Sequence, residues 1–170
     1  MKVLDYGCGS GLLTLGIMPY VGSIVGADSS HGMLEVLTRK IQQQGLSNVT
    51  TSLIDLECQD TLEGDFDLIV SNMTMHHVRD VKTLVSDFVQ ALNPSGWLAI
   101  ADLEAEDGSF HDDLTGVFHH GFEQKDLQEI LMENGCVDVR IITAAVIRKF
   151  TADGKERIYP VLLAVGRKKP

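Results

Sequence analysis

The sequence predicts a doubly wound α/β fold, an open and mainly parallel sheet with helices on both faces. Three observations lead there. Short runs rich in Val, Ile and Leu recur along the first hundred residues, stretches of helical period separate them, and the chain closes on two strand-like runs joined by a turn. A length of 170 residues suits one domain, and a 44% hydrophobic share is enough for one core.

The runs at 2–6, 23–27, 49–54, 66–70 and 97–101 are apolar without strict alternation, as strands covered on both faces read. A helical stretch over 12–18 follows the first of them. Met33, Val36, Leu37 and Ile41 then recur at helical spacing, as do Val81, Leu84, Val85, Phe88 and Leu92 before Pro94-Ser95-Gly96 stops the helix. Strand and helix alternate, which implies right-handed crossovers and a parallel sheet. The last third differs. A helix over 124–133 ends at Asn134-Gly135, and a strand over 137–145 is followed by a turn at Ala152-Asp153-Gly154 and a strand over 157–165. This pair reads as an antiparallel hairpin added to the sheet. Pro160 offers no amide donor, so a bulge or strand end is expected there.

Composition removes several function classes. The net charge of −10 opposes a nucleic-acid face, and Arg167, Lys168 and Lys169 read as a solvated tail. No apolar stretch is long enough to cross a bilayer as a helix, and no secretory leader pattern opens the chain. The partners left are a small molecule and, as a candidate assembly, a second copy in a homodimer. Cys8, Cys58 and Cys136 are odd in number and unpaired in spacing, which points to reduced thiols and a cytoplasmic location.

Gly7, Gly9 and Gly11 follow the first strand and precede a helix. Glycine there admits positive φ and close approach of a ligand, while the helix start offers free amides. Any tight strand-to-helix turn would also use glycine. Asp28 ends the second strand, where a carboxylate can accept both hydroxyls of a ribose or cap the next helix, a task open equally to Ser29 or Ser30. Asp55 follows the third strand and could accept the amine of an adenine. The spacing Gly-x-Gly-x-Gly differs from the dinucleotide pattern Gly-x-Gly-x-x-Gly, and Asp5, two residues before Gly7, would repel a pyrophosphate. A cofactor with a positively charged end fits better. Cys8 could have its thiol pKa lowered by the helix start, but inside this turn it reads as a small side chain.

Val3-Leu4-Asp5-Tyr6-Gly7-Cys8-Gly9-Ser10-Gly11, Val25-Gly26-Ala27-Asp28, Phe66-Asp67-Leu68-Ile69-Val70-Ser71-Asn72 and Leu92-Asn93-Pro94-Ser95-Gly96-Trp97-Leu98 resemble, in order, motifs of the class I methyltransferases that use S-adenosyl-L-methionine (SAM). Within that class the chain is similar to the small-molecule group that includes the ubiquinone and menaquinone biosynthesis methyltransferases. The resemblance implies a Rossmann-like sheet of seven strands in the order 3-2-1-4-5-7-6, with strand 7 antiparallel. It places Asp5, Gly7, Gly9 and Gly11 near the methionine portion of SAM, with Cys8 in the same cofactor-binding turn, Asp28 at the ribose, Ser29 and Met33 beside the adenine, and Asp55 and Leu56 at the adenine edge. Ser71 and Asn72 would lie under the methionine end. The family has helices before its first strand that cover the cofactor, whereas here that strand starts at residue 2. The expectation is a single SAM-binding domain over 1–170 without the usual N-terminal cap helices.

Methyl transfer from a sulfonium needs alignment and exclusion of water more than catalytic side chains. Where the acceptor is a hydroxyl or a ring carbon, an imidazole can remove its proton. His76 and His77 follow strand four, and His119 and His120 precede the late helix, so His76, His77 and His120 are the candidate catalytic residues. His77 could equally be a polar cap. Asp102, ending strand five, could contact substrate or cap a loop. The two pairs with His111 and Asp112 invite a metal reading, but adjacent histidines are expected to project apart and no usual ligand spacing occurs, so no metal site is expected. The function expected is direct displacement of the SAM methyl onto an oxygen, nitrogen or carbon of a small acceptor. The alternative is a SAM-binding module without catalytic activity of its own.

Overall fold

A computed structural model describes residues 1–55, 61–150 and 154–170. Strands β1 (Lys2–Tyr6), β2 (Ser23–Asp28), β3 (Val49–Leu53), β4 (Phe66–Asn72), β5 (Leu92–Leu103), β6 (Cys136–Phe150) and β7 (Glu156–Lys168) form one sheet in the order β3-β2-β1-β4-β5-β7-β6. The first five pair in parallel, while β7 runs antiparallel to both β5 and β6. This is the order and sense that the family resemblance implies. Helices α1 (Leu12–Ile17), α2 (His31–Gln44), α3 (Val81–Ala91) and α4 (Gln124–Glu133) occupy the crossovers.

Apolar side chains leave β1 in both directions, which is why its sequence does not alternate with polar residues. Val3 packs with Ile24, Val49 and Val70 against Leu13, Ile17 and Ile41 on one face. On the other, Leu4, Tyr6, Ile69, Leu98 and Ile100 meet Val85 and Phe88 of α3 and Leu127 and Leu131 of α4. Fully burying each such side chain contributes roughly 1.5 to 3 kcal/mol. Side chains also set the helix starts: the Ser30 hydroxyl accepts the Met33 amide at 3.4 Å, and Asp80 accepts the Thr83 amide at 2.9 Å.

Beyond shifts of one or two residues, the largest differences from the sequence reading fall in β5 and in the hairpin. β5 begins at Leu92, because Phe66 pairs with Leu92 and Leu68 with Trp97, so 93–96 loop out of the ladder. Ser95 takes a φ of 63° there, and the Asn93 amide group donates to Asp67 at 2.9 Å. The hairpin strands are longer than their apolar runs, since each extends the other's pairing. β7 also passes through Pro160 without a break, opposite Val146. The Pro160 carbonyl accepts Glu104 N–H at 3.0 Å, so its missing donor faces the end of β5 rather than β6. The irregularities lie instead in β6, between Val137 and Arg140 and between Thr143 and Ala145. Of the proposed turn at Ala152-Asp153-Gly154, only Gly154 lies within the described residues. No described helix is long and apolar enough to cross a membrane.

Candidate functional site

The turn after β1 is tied to β2 by its backbone. Gly7 and Cys8 donate their amides to the Ala27 carbonyl at 2.8 and 3.0 Å. Gly7 and Gly9 have φ of 71° and 51°, a region that side chains rarely adopt. Their surroundings differ. A Cβ at Gly7 would collide with Thr74, whereas one at Gly9 would meet no atom within 4 Å. Gly9 therefore presents bare backbone to open space.

That space is a cavity of about 450 Å³ at the carboxyl ends of β1, β2 and β4. Gly7, Gly9, Asp28, Ser29, Met33 and Asp55 line it, all of them cofactor candidates from the sequence. Asp28 is fixed at its edge, one carboxylate oxygen accepting Gly9 N–H and the other Ser30 N–H, each at 2.8 Å. Capping of α2 falls to Ser30. The loop after β4 supplies Met73, Thr74, His77 and Val78 to the opposite wall. Tyr6, Met73, Thr74 and Val78 were not singled out from sequence, and Ser30 only as a helix cap. Their only available signal was adjacency to chosen residues.

The remaining cofactor candidates stand outside this lining. Asp5 is 1% exposed and accepts the Thr14 hydroxyl at 2.6 Å. Burial pushes its pKa up to about 6, against the lowering effect of Thr14. Cys8 is buried, and burial, followed by the charges of Asp5 and Asp28, pushes its thiol up to about 12. The helix start does not activate it, because desolvation and two neighbouring carboxylates outweigh the helix end. Gly11 packs toward Leu37, Asn72 is exposed, and Ser71 is buried with no partner for its hydroxyl among the described residues. Leu56 and Cys58 lie outside the described residues.

The histidines are arranged differently from the sequence expectation. Met73, at φ 55°, turns the chain out of β4 into a 3-10 turn over Met75–His77. His76 is buried, with Nδ1 2.6 Å from Asp102 Oδ1. Asp102 also accepts the amides of His76 at 3.3 Å and Leu103 at 2.7 Å. His77 is exposed and donates Nδ1–H to the Gly116 carbonyl at 2.7 Å. The two rings do not diverge: their centroids are 4.1 Å apart, and the His111 ring lies 4.9 Å from His76. The loop bearing His111 closes on this turn because Phe118 and His119 donate their amides to the His76 carbonyl at 2.9 and 3.2 Å. Burial, then the neighbouring His76 and His77, lowers the His111 pKa. His119 directs Nε2 to the Val78 carbonyl at 2.9 Å. His120 does not join the cluster or line the cavity; it is exposed, its ring beside Gly108.

Comparison with known proteins agrees with this fold. An uncharacterised methyltransferase of Schizosaccharomyces pombe is 32% identical over 135 residues, covering 71% of this chain and 48% of that protein. A ubiquinone biosynthesis O-methyltransferase of Bartonella bacilliformis is 33% identical over 103 residues, covering 61% of this chain and 41% of its own length. The chain thus spans less than half the length of these relatives. Phosphoethanolamine N-methyltransferase 2 of Haemonchus contortus, solved in complex with SAM, superposes with a TM-score of 0.79 at 17% identity, over 100% of this chain and 49% of that one. The methyltransferase domain family matches residues 3–96, more than half of the sequence, and the chain belongs to that family.

Proposed function

We propose that this chain binds SAM in the cavity beside Gly9 and Asp28 and transfers its methyl group to a small-molecule acceptor. The observation that carries the reading is the pairing of a bare glycine backbone with a carboxylate held at the same cavity edge. Family membership and the SAM held by the Haemonchus contortus structure support the cofactor. Residues 1–170 act in this reading as one SAM-binding domain. The free, buried thiols Cys8 and Cys136 favour a reducing compartment, the cytoplasm.

The roles follow from placement. Asp28 keeps lone pairs for two ribose hydroxyls besides those engaged by Gly9 and Ser30. Asp55 accepts the adenine amine, with Ser29 and Met33 along the ring. Asp5 attracts the ammonium of the methionine portion from behind the turn, and Ser71 and Asn72 lie beneath that end. When bound, SAM supplies a methyl group on a sulfonium, a good leaving group that departs as S-adenosylhomocysteine. The chain's task is to align the acceptor and keep water out. Where the acceptor carries a proton to be lost, the His77 imidazole, on the wall formed by the loop after β4, receives it, with the buried His76 ring packed behind.

Titration calorimetry with SAM and S-adenosylhomocysteine tests this reading. Saturable binding of both is expected, together with methylation in a panel of small hydroxyl, amine and carbon acceptors. A folded sample that binds neither would sink it, and binding without turnover would leave a SAM-binding module.

A further inference from the structure

We propose that His76, His77 and His111 form a three-histidine site for a divalent transition-metal cation at the wall of the cavity. The inference goes beyond methyl transfer and does not depend on it. Each residue offers one nitrogen, and the three atoms lie within 4.8 Å of one another.

The outer hydrogen bonds favour this assignment. A carbonyl oxygen can only accept, so the Gly116 carbonyl fixes the proton of His77 on Nδ1. Asp102 accepts three N–H groups, from the His76 ring, the His76 amide and Leu103, and so fixes the His76 proton on Nδ1 as well. In the neutral form of each ring the lone pair is then on Nε2, and neither Nε2 has a hydrogen-bond partner among the described residues. A ring N–H held by a carboxylate or a backbone carbonyl, with the other nitrogen bare, is the arrangement that orients metal-ligating histidines.

The third ligand is also held in place. Lys149 donates to the Phe110 carbonyl at 2.7 Å, and Ser109 bonds the Tyr159 hydroxyl at 2.8 Å, so the residues before His111 are fixed from the hairpin. Lys149 also pairs with Asp112 at 2.9 Å, which offsets its charge near the site. Tetrahedral coordination brings ligand nitrogens to about 3.3 Å of one another. Closing from the present spacing requires only small rotations of the exposed His77 and the half-buried His111 towards the fixed His76.

Imidazole ligands select zinc, cobalt and nickel over magnesium and calcium. Three protein ligands leave one coordination position open, as in zinc sites that act on a bound group. His77 lines the same cavity as Gly9 and Asp28, so this position lies beside the proposed methyl acceptor. A cation held there would engage the Nε2 lone pairs, so the metal-free chain would use the His77 imidazole as base, while the metal-loaded chain would polarise the acceptor and release its proton to solvent.

The test uses untagged full chain stripped of metal by chelation, titrated with Zn²⁺ by calorimetry and with Co²⁺ by visible absorption. One cation per chain is expected, with the d–d bands of tetrahedral cobalt and no competition from excess Mg²⁺. His111→Ala and His77→Gln should each weaken binding at least tenfold with the far-ultraviolet circular dichroism unchanged. Asp102→Asn, which removes the charge and one of the two acceptor oxygens that orient His76, should weaken it roughly 10- to 100-fold; thermal melts establish that this variant is folded. Absence of saturable binding, equal competition by Mg²⁺, or unchanged affinity in the His77 and His111 variants would overturn the proposal. SAM titration is read separately, so failure of either ligand leaves the other result intact.

Discussion

Asp28 accepts the amide of Gly9 at 2.8 Å, so the end of β2 and the turn after β1 are locked together at the cavity edge. One carboxylate both shapes the turn and faces the proposed ribose position.

Asp28→Ala removes both contributions. SAM affinity should fall by roughly 1.5 to 3 kcal/mol, the range for hydrogen bonds to a charged group. Asp28→Asn keeps one acceptor oxygen and should lose less. Calorimetry on folded samples decides this, and an unchanged dissociation constant for Asp28→Ala would remove the residue from the site.

Asp5 makes stability depend on pH. Its folded pKa, about 6, lies above the ordinary 3.8, so the folded state holds the proton more tightly than the unfolded chain. The contribution is fully present below pH 3.8 and is lost as pH rises through 6, on the order of 3 kcal/mol in total. Asp5→Asn still accepts the Thr14 hydroxyl. It should therefore be more stable than wild type at pH 7 to 8, with the difference vanishing below pH 4 in denaturant titrations. If Asp5 also attracts the SAM ammonium, the same substitution should lower affinity by roughly 1 to 2 kcal/mol.

Gly9→Ala and Gly7→Ala separate a binding surface from a packing constraint. Both place a side chain at positive φ, which costs about 1 to 2 kcal/mol. Only Gly7→Ala also strikes Thr74, so it should have the lower melting temperature. Gly9→Ala should lose SAM binding out of proportion to its stability loss, because its methyl group enters the cavity. Equal melting temperatures with intact SAM binding in Gly9→Ala would contradict both assignments.

The frame was legible where one local pattern had one outcome. The run Lys2–Tyr6, covered on both faces, could not alternate, and the glycines after it could only turn. The start of β5 was not legible, because Pro94 and Ser95 normally end a strand and here bulge out between paired residues. Pro160 misled for a similar reason: its missing donor matters only on one side, and which side is set by where β5 ends. The histidine cluster was hidden by distance in sequence. Nothing near His76 announces that the amides of Phe118 and His119 will close on its carbonyl and bring His111 with them.

No described residue of the hairpin lines the cavity, yet Lys149, Arg157 and Tyr159 all grip the segment that carries His111. Spacing among the three imidazoles is thus set in part from the outermost strands, by a handle far from the turn that follows β1. Substitutions at those hairpin positions can retune the histidine end while leaving the glycine end untouched, so the two halves of the site are free to diversify separately.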